Sequence, residues 1–401
     1  MKKSLVTILL LALALPIAAS ETRVMTMGDN NTILLDEHNI VIFPSRLFDY
    51  PNLAIGEFAS EDFTQFGVHL KFNENKPWVL GAYLHNGTPE VHSYSPIDLP
   101  TRLGQDTPLS NKRLDLYYAR MLGDGKFGAH FGMRHSSSEA NTATVKDEKS
   151  FNIYRFDFGF TPDGDKFDLS AGLEFMGWTD KGTYQPDAQP AQQVTLSEPD
   201  GNLGFHMMAR MFHQLNSTST IIPHAAIRYG KYNSKHYDAE TQELNETVET
   251  NFTAIELGAG LQYTPAKNVL TVIDVGFSLD NMTEKTLDVP DDELNEVKTD
   301  ITTLPYFKIG FDADVFKWMD VRFGATSFWR TEKVEQDLVT ALNETTYKYP
   351  DNETYLGFGF HWNRLHVDVH ANPSMFLDGF NFLSGESNSM NFRISGVYEM
   401  M

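Results

Sequence analysis

The stretch YRFDFGFTPDGDKFDLSAGLEF, Tyr154 to Phe175, carries the reading of the fold. Tyr154, Phe156, Phe158 and Phe160 alternate with Arg155, Asp157 and Gly159, a period of two that sends each set to its own face of an extended strand. Thr161-Pro162-Asp163-Gly164-Asp165 then supplies the residue types of a tight reversal. The alternation resumes with Phe167, Leu169, Ala171, Leu173 and Phe175 against Asp168, Ser170, Gly172 and Glu174. The unit is a β-hairpin with one apolar and one polar face.

The same grammar returns along the chain. Phe127, Ala129, Phe131 and Met133 oppose Gly128, His130, Gly132 and Arg134, and Phe205, Met207, Ala209 and Met211 oppose His206, Met208 and Arg210. Ile255 to Tyr263, Phe307 to Phe311 with Val321 to Ala325, and Leu356 to Trp362 with Leu365 to Val369 repeat it. Asn52 to Phe58, Thr64 to Phe72, Trp78 to Leu84 and the final Phe392, Ile394, Gly396 and Tyr398 add further strands. Short turns near 122–126, 162–166, 214–218, 264–268, 314–317 and 363–364 alternate with long polar segments at 179–201, 232–250, 280–301 and 331–352. That alternation is the pattern of an outer-membrane barrel, with short periplasmic turns and longer outer loops. An exported β-sandwich competes, but its strands are usually about 5–6 residues long, whereas these runs reach the roughly 9–11 residues that cross a bilayer. The expectation is an all-β, transmembrane antiparallel β-barrel of about fourteen to sixteen strands over residues 51–401. Trp78, Trp178, Trp318, Trp329 and Trp362, read as lying at or beside strand ends, fit interfacial girdles.

Composition narrows the function. Hydrophobic residues make up 41% of the 401, with 29 Phe, so a large apolar surface must be buried or given to lipid. The net charge of −22 argues against nucleic acid as a partner, since phosphate recognition needs a basic footprint. The absence of cysteine removes disulfides, thiolate nucleophiles and iron–sulfur ligation. The opening MKKSLVTILLLALALPIAAS, residues 1–20, combines Lys2 and Lys3, an apolar run too short to span a membrane, and small residues at Ala18 and Ser20, as a cleaved signal peptide does. An exported chain with lipid-facing strands belongs in the outer membrane of a Gram-negative-type cell, among outer-membrane lipids and lipopolysaccharide. Neither a Gly-x-Ser-x-Gly elbow nor a His-Glu-x-x-His motif is present, and no cofactor signature appears, so an enzyme is not expected.

With the apolar face on lipid, the opposite face lines the interior. Expected pore-lining residues are Arg155, Arg210, Arg228 and Arg322 facing Asp157, Glu174 and Glu256. A barrel of this width leaves room for an aqueous channel, so passive passage of small solutes is the leading reading. Met176, Met208 and Phe328 read as apolar fillers near a rim, or else as patches of an inner path for hydrophobic compounds. His366, Asp368 and His370 share a face, but neighbours two apart on a strand lie roughly 6–7 Å from each other, so no metal is expected there. The acidic run Asp238, Glu240, Glu243, Glu246 and Glu249, and the run Asp291, Asp292, Glu293 and Glu296, read as solvated loops or as cation-bridged contacts to lipopolysaccharide phosphates.

Residues 21–50 have no clean period. Met27-Gly28, then Asp36 and Asn39, then Phe43-Pro44-Ser45 resemble the opening of FadL-like outer-membrane transporters. In this chain Phe43-Pro44-Ser45 stands for the usual Asn-Pro-Ala, and Asp29-Asn30 for the usual second glycine. The resemblance implies a hatch folded inside the barrel, with Met27, Gly28, Asp36, Asn39 and Pro44 as its residues, and passage of hydrophobic compounds. A flexible periplasmic segment is the plain alternative. The alternating last strand resembles those read by the barrel-assembly machinery, although it closes on Met400-Met401, with Tyr398 as its last aromatic. A non-conducting structural or adhesive barrel is a third reading, and nothing in the residues decides for or against a homo-oligomer.

Overall fold

The computed structural model describes residues 20–59, 64–86, 112–141, 146–184, 192–290, 293–338, 341–371 and 392–400. The expected signal peptide, apart from Ser20, lies outside them, as do Asp291 and Asp292. Among the described residues, eighteen β-segments form one antiparallel sheet. They are β1 (Leu53–Ala59), β2 (Thr64–Phe72), β3 (Trp78–Asn86), β4 (Lys112–Leu122), β5 (Gly125–Asn141), β6 (Lys146–Thr161), β7 (Phe167–Tyr184), β8 (Gln192–Pro199) and β9 (Leu203–Met211). The rest are β10 (His213–Asn216), β11 (Ser219–Tyr237), β12 (Leu244–Ala266), β13 (Val269–Asp288), β14 (Glu293–Phe316), β15 (Met319–Leu338), β16 (Ala341–Trp362), β17 (Leu365–Ala371) and β18 (Phe392–Glu399).

β8 and β9 both lie between β7 and β11, and β10 continues along β11, so these three pieces occupy one place in the wall. The wall therefore has 16 strands, and β1 pairing with β18 closes it. Both chain ends of the barrel meet at the short-turn rim, where the Met400 N–H donates to the Asn52 carbonyl at 2.7 Å. Two-residue turns at 123–124 and 363–364 fit that rim because Gly123 (φ 61°) and Asn363 (φ 58°) take the left-handed backbone a tight hairpin requires.

The alternation sorts the residues by face. Phe156, Phe158 and Phe160 are 37–54% exposed on the outside, while Asp157 between them is buried inside. Leu169, Leu173, Phe175, Met207, Leu257, Phe307, Phe311 and Phe323 extend the exposed apolar surface around the wall. A closed barrel leaves no free strand edge, and a belt of Phe and Leu this broad is stable against lipid rather than water.

Two expectations need correction. First, β11 to β16 are 19 to 24 residues long, so most of 232–250, 280–301 and 331–352 is strand and not loop, and β7 and β8 likewise take up much of 179–201. These extensions are rich in Thr, which suits a pleated surface, and opposite charges meet across them, as Lys285 does Glu296 at 3.6 Å and Lys333 does Glu344 at 3.4 Å. Second, Trp178 belongs to no girdle. β7 runs on past it to Tyr184, and the indole points inward, 5% exposed.

Candidate functional site

Residues 20–50 contact inward-facing side chains around the wall. The helix α1 (Glu21–Thr26) starts where the Ser20 hydroxyl accepts from the Arg23 N–H. A 3-10 turn at Glu37–Val41 is opened by a capping box between Asp36 and Asn39, and a second at Pro44–Asp49 by Pro44, whose fixed φ suits a first helical position. The wall grips each piece. Ser20 donates to Asp368 on β17 at 2.8 Å, Thr22 to Glu57 on β1 at 2.6 Å, and Arg23 pairs with Asp312 on β14 at 3.1 Å. Lys308 on β14 holds the Asp29 carbonyl at 2.9 Å, and Gln262 on β12 holds that of Ile33. Arg46 pairs with Asp168 on β7 at 2.9 Å, and Arg393 on β18 with Glu21 at 2.9 Å.

Arg210 on β9 is the densest of these contacts. Its guanidinium donates to Asp168 at 2.8 Å, to the carbonyls of Thr32 (2.8 Å) and Leu34 (3.0 Å) and to the Asn39 side chain (2.8 Å), and stacks on Phe43 at 4.4 Å. Apolar residues of the segment find apolar seats on the wall. Ile40 and Leu47 pack with Val79, Tyr83 and Tyr117; Val24, Met27, Ile33 and Leu34 pack with Ile222 and Val272; Ile42 and Phe43 pack with Met208. Each fully buried aliphatic residue contributes about 1.5–3 kcal/mol over the same residue exposed. Where the segment's backbone touches the wall, the wall has glycine. A Cβ on Gly128 would stand 2.1 Å from the Pro44 carbonyl carbon, and one on Gly324 2.1 Å from the Gly28 nitrogen, itself at φ 75°.

A chain of alternating histidines and carboxylates runs across the inner face of β3 to β9. His85 meets Asp115 at 2.7 Å, Asp115 meets His130 at 2.8 Å, His130 meets Asp157, and Asp157 meets His206 at 2.7 Å, with Arg113 and Arg155 each 2.7 Å from a carboxylate. Beside its end, Ile42, Arg155, His206, Met208, Arg228 and Glu256 line a small pocket of about 20 Å³. Farther from the short-turn rim, Phe151, Ile153, Met176, Trp178 and Tyr232 form a buried apolar patch on the inner face of β6, β7 and β11. It flanks the break between β8 and β9, where the Asn202 side chain stands in for the interrupted ladder by donating to the Met176 carbonyl and accepting from the Asn233 N–H.

The seven residues read as pore-lining lie on the inner face, and two of the four arginines meet expected partners while two do not. Arg155 meets Asp157, and Arg228 reaches Glu256 at 3.8 Å. Arg210 instead meets Asp168, and Arg322 meets Asp312, Asp320 and Asp368. Glu174 stands opposite Arg155 in register and is buried. Met27, Gly28, Asp36, Asn39 and Pro44 are all buried within the segment. Met176 and Met208 are not rim fillers, since both are buried in inner apolar clusters, and Phe328 lies beside the cations Lys308 and Arg330. His366, Asp368 and His370 do not converge: Asp368 is taken by Arg322 and His366, and the His370 ring lies against Tyr355. Asp115, Asp168, Arg23 and Arg46 carry contacts the sequence reading did not assign. The alternation of Asp115 with Leu114 and Leu116 is the signal that gives its face.

No protein-family model matches the chain, and no curated protein does. Among solved structures it is similar to the Pseudomonas putida toluene transporter TodX, at 12% identity over 96% of this chain and 100% of the other with a TM-score of 0.41. It is similar to the Ralstonia pickettii toluene transporter TbuX at 9% identity, over 94% and 97%, TM-score 0.41, and to the CymD monoaromatic hydrocarbon channel at 8% identity, over 96% and 99%, TM-score 0.39. Likenesses of this size leave the question of cargo to the chain's own side chains.

Proposed function

We propose that the chain is an outer-membrane channel for hydrophobic compounds in which residues 21–50 act as a hatch. The observation that carries this reading is the apolar patch of Phe151, Ile153, Met176, Trp178 and Tyr232 on an inner wall that elsewhere carries buried carboxylates, arginines and histidines. Ions are passed along a pore by carbonyls and charged side chains, which the aromatic and aliphatic residues of this patch do not supply. The patch offers an apolar molecule entering from the long-strand end a place to leave water before it meets the segment. The contacts of residues 20–50 support gating for the same reason: an open pore for hydrophilic solutes has no need of a packed interior.

The test is planar-bilayer conductance together with liposome uptake, comparing the intact chain with one lacking residues 21–50. Near-silence in the intact protein with uptake of toluene-like compounds, and ohmic current after the deletion, is the expected result. Steady large current in the intact protein with free passage of a sugar would replace the reading by a general porin. Silence of both proteins, with no uptake, would leave a structural barrel.

A further inference from the structure

At the short-turn rim the two-residue turn 363–364 sets His361 on β16 directly opposite His366 on β17. Their rings meet edge to face, with centroids 4.2 Å apart, and their Nδ1 atoms are 2.9 Å apart. Each ring's other nitrogen is committed to a carboxylate, His361 Nε2 to Asp320 and His366 Nε2 to Asp368, the latter at 2.7 Å. Ionised carboxylates only accept hydrogen bonds, so with a proton on each Nε2 the lone pairs of the two Nδ1 atoms face each other. Two lone pairs at that distance repel unless an electrophile lies between them.

We infer that the Nδ1 atoms of His361 and His366 form a site for a divalent metal ion of the zinc, nickel or copper class, with Asp320 and Asp368 as the carboxylates behind the two rings. The inference does not depend on the transport reading. A carboxylate oxygen of Asp320 and one nitrogen of each ring fall within 4.8 Å of one another, so the anion stands close to the pair. Two nitrogens 2.9 Å apart match neighbouring ligands of an ion bound at about 2.0–2.1 Å. The Nε2–H to carboxylate bonds are the arrangement that orients a ligating histidine and raises its basicity. Charge favours a cation, since Asp312, Asp320 and Asp368 surround Arg322, and Arg23 is the second guanidinium, on Asp312. Imidazole ligands select borderline ions over calcium or magnesium, which prefer all-oxygen sites. His361 keeps 19% of its side chain exposed, which gives the ion a way in.

The test is calorimetric titration of the full-length, tag-free protein in detergent with zinc chloride, and separately with calcium chloride. Saturable zinc binding near one ion per chain is expected, weakened by roughly 10–100-fold in Asp368→Asn, lost in His361→Gln and in His366→Gln, and unchanged in His370→Gln. Zinc binding unaffected by His361→Gln and His366→Gln, absent altogether, or matched by calcium would overturn the assignment. Heat-dependent gel mobility reports whether each variant has refolded. If the histidine variants do not refold, X-ray absorption of the zinc-loaded parent protein decides. Scattering from two imidazoles supports the site, and one imidazole or none overturns it.

Discussion

The barrel's two ends use the same ion-pair chemistry to opposite effect. Near the short-turn rim Arg210 and Asp168, and Arg322 and Asp368, are almost fully buried against residues 20–50. On the strand extensions Lys298 pairs with Glu296 and Lys333 with Glu344 while staying open to solvent. A buried pair loses its hydration and has to recover it from its partner, so removing one member leaves a stranded charge. An exposed pair exchanges its partner for water at little cost. The first kind of pair fixes where the N-terminal segment sits, and the second keeps long ribbons soluble and in register.

Arg210→Ala tests the buried side hardest. It strips a donor from Asp168, Asn39 and the Thr32 and Leu34 carbonyls together. A loss of about 3–5 kcal/mol is expected for docking of the segment, read as protease cutting within residues 21–50 while the barrel keeps its heat-dependent gel mobility. Unchanged protection would place the hold elsewhere. Gly324→Val comes next. Its branched side chain would overlap the Gly28 nitrogen and, at 2.7 Å, the Thr26 carbonyl, for roughly 1–3 kcal/mol of overpacking. The same protease assay reads it, and Gly177→Val, where a Cβ meets nothing within 4 Å, is the matched control.

How far this contrast was legible in the sequence depends on what each face touches. Where lipid lies outside and polar groups lie inside, as from Tyr154 to Phe160, the period of two is plain, and the barrel followed from it. Along the extensions of β11 to β16 both faces meet water, so the period fades and the same strands read as loops. The faces of Arg155, Asp157, Arg210 and Arg322 were legible for the first reason. Their partners were not, because Arg210 and Asp168 lie 42 residues apart in sequence and meet only through the register of β7 with β9. The glycines of the polar face, Gly128 and Gly159 among them, read as gaps in the alternation, while in the structure they leave room for Pro44 and Ser45. A small residue recurring on an otherwise charged inner face is the signal that would have shown where the segment rests.

Glu37 sharpens the comparison through pH. It is buried in the N-terminal segment, its carboxyl oxygens take no hydrogen bond from another residue, and burial together with the nearby Asp36 and Asp368 charges pushes its pKa well above the usual carboxylate range. Docking therefore favours the protonated acid. The docked segment binds a proton that the released segment gives up, so docking is firmest below the ordinary carboxylate pKa and weakens as pH rises toward the elevated value. Glu37→Gln should flatten much of that dependence, with Asp36, whose pKa burial also raises, contributing in the same direction. Hydrogen exchange of residues 21–50 across pH 5 to 8 measures it, and an identical slope in the variant would move the effect off Glu37.

The smallest effect belongs to the ribbons. Lys298→Ala removes the partner of Glu296 at 3.1 Å on the exposed part of β14. Glu296 keeps Lys285 at 3.6 Å and meets water on its other side, so no stranded charge results. The unfolding temperature in detergent should stay within error of the parent, and salt should leave the difference at zero because little Coulomb energy was there to screen. A loss approaching that of Arg210→Ala would mean that the extended strands are packed against something that excludes water, and the contrast between the two ends would then rest on burial by a partner rather than on exposure.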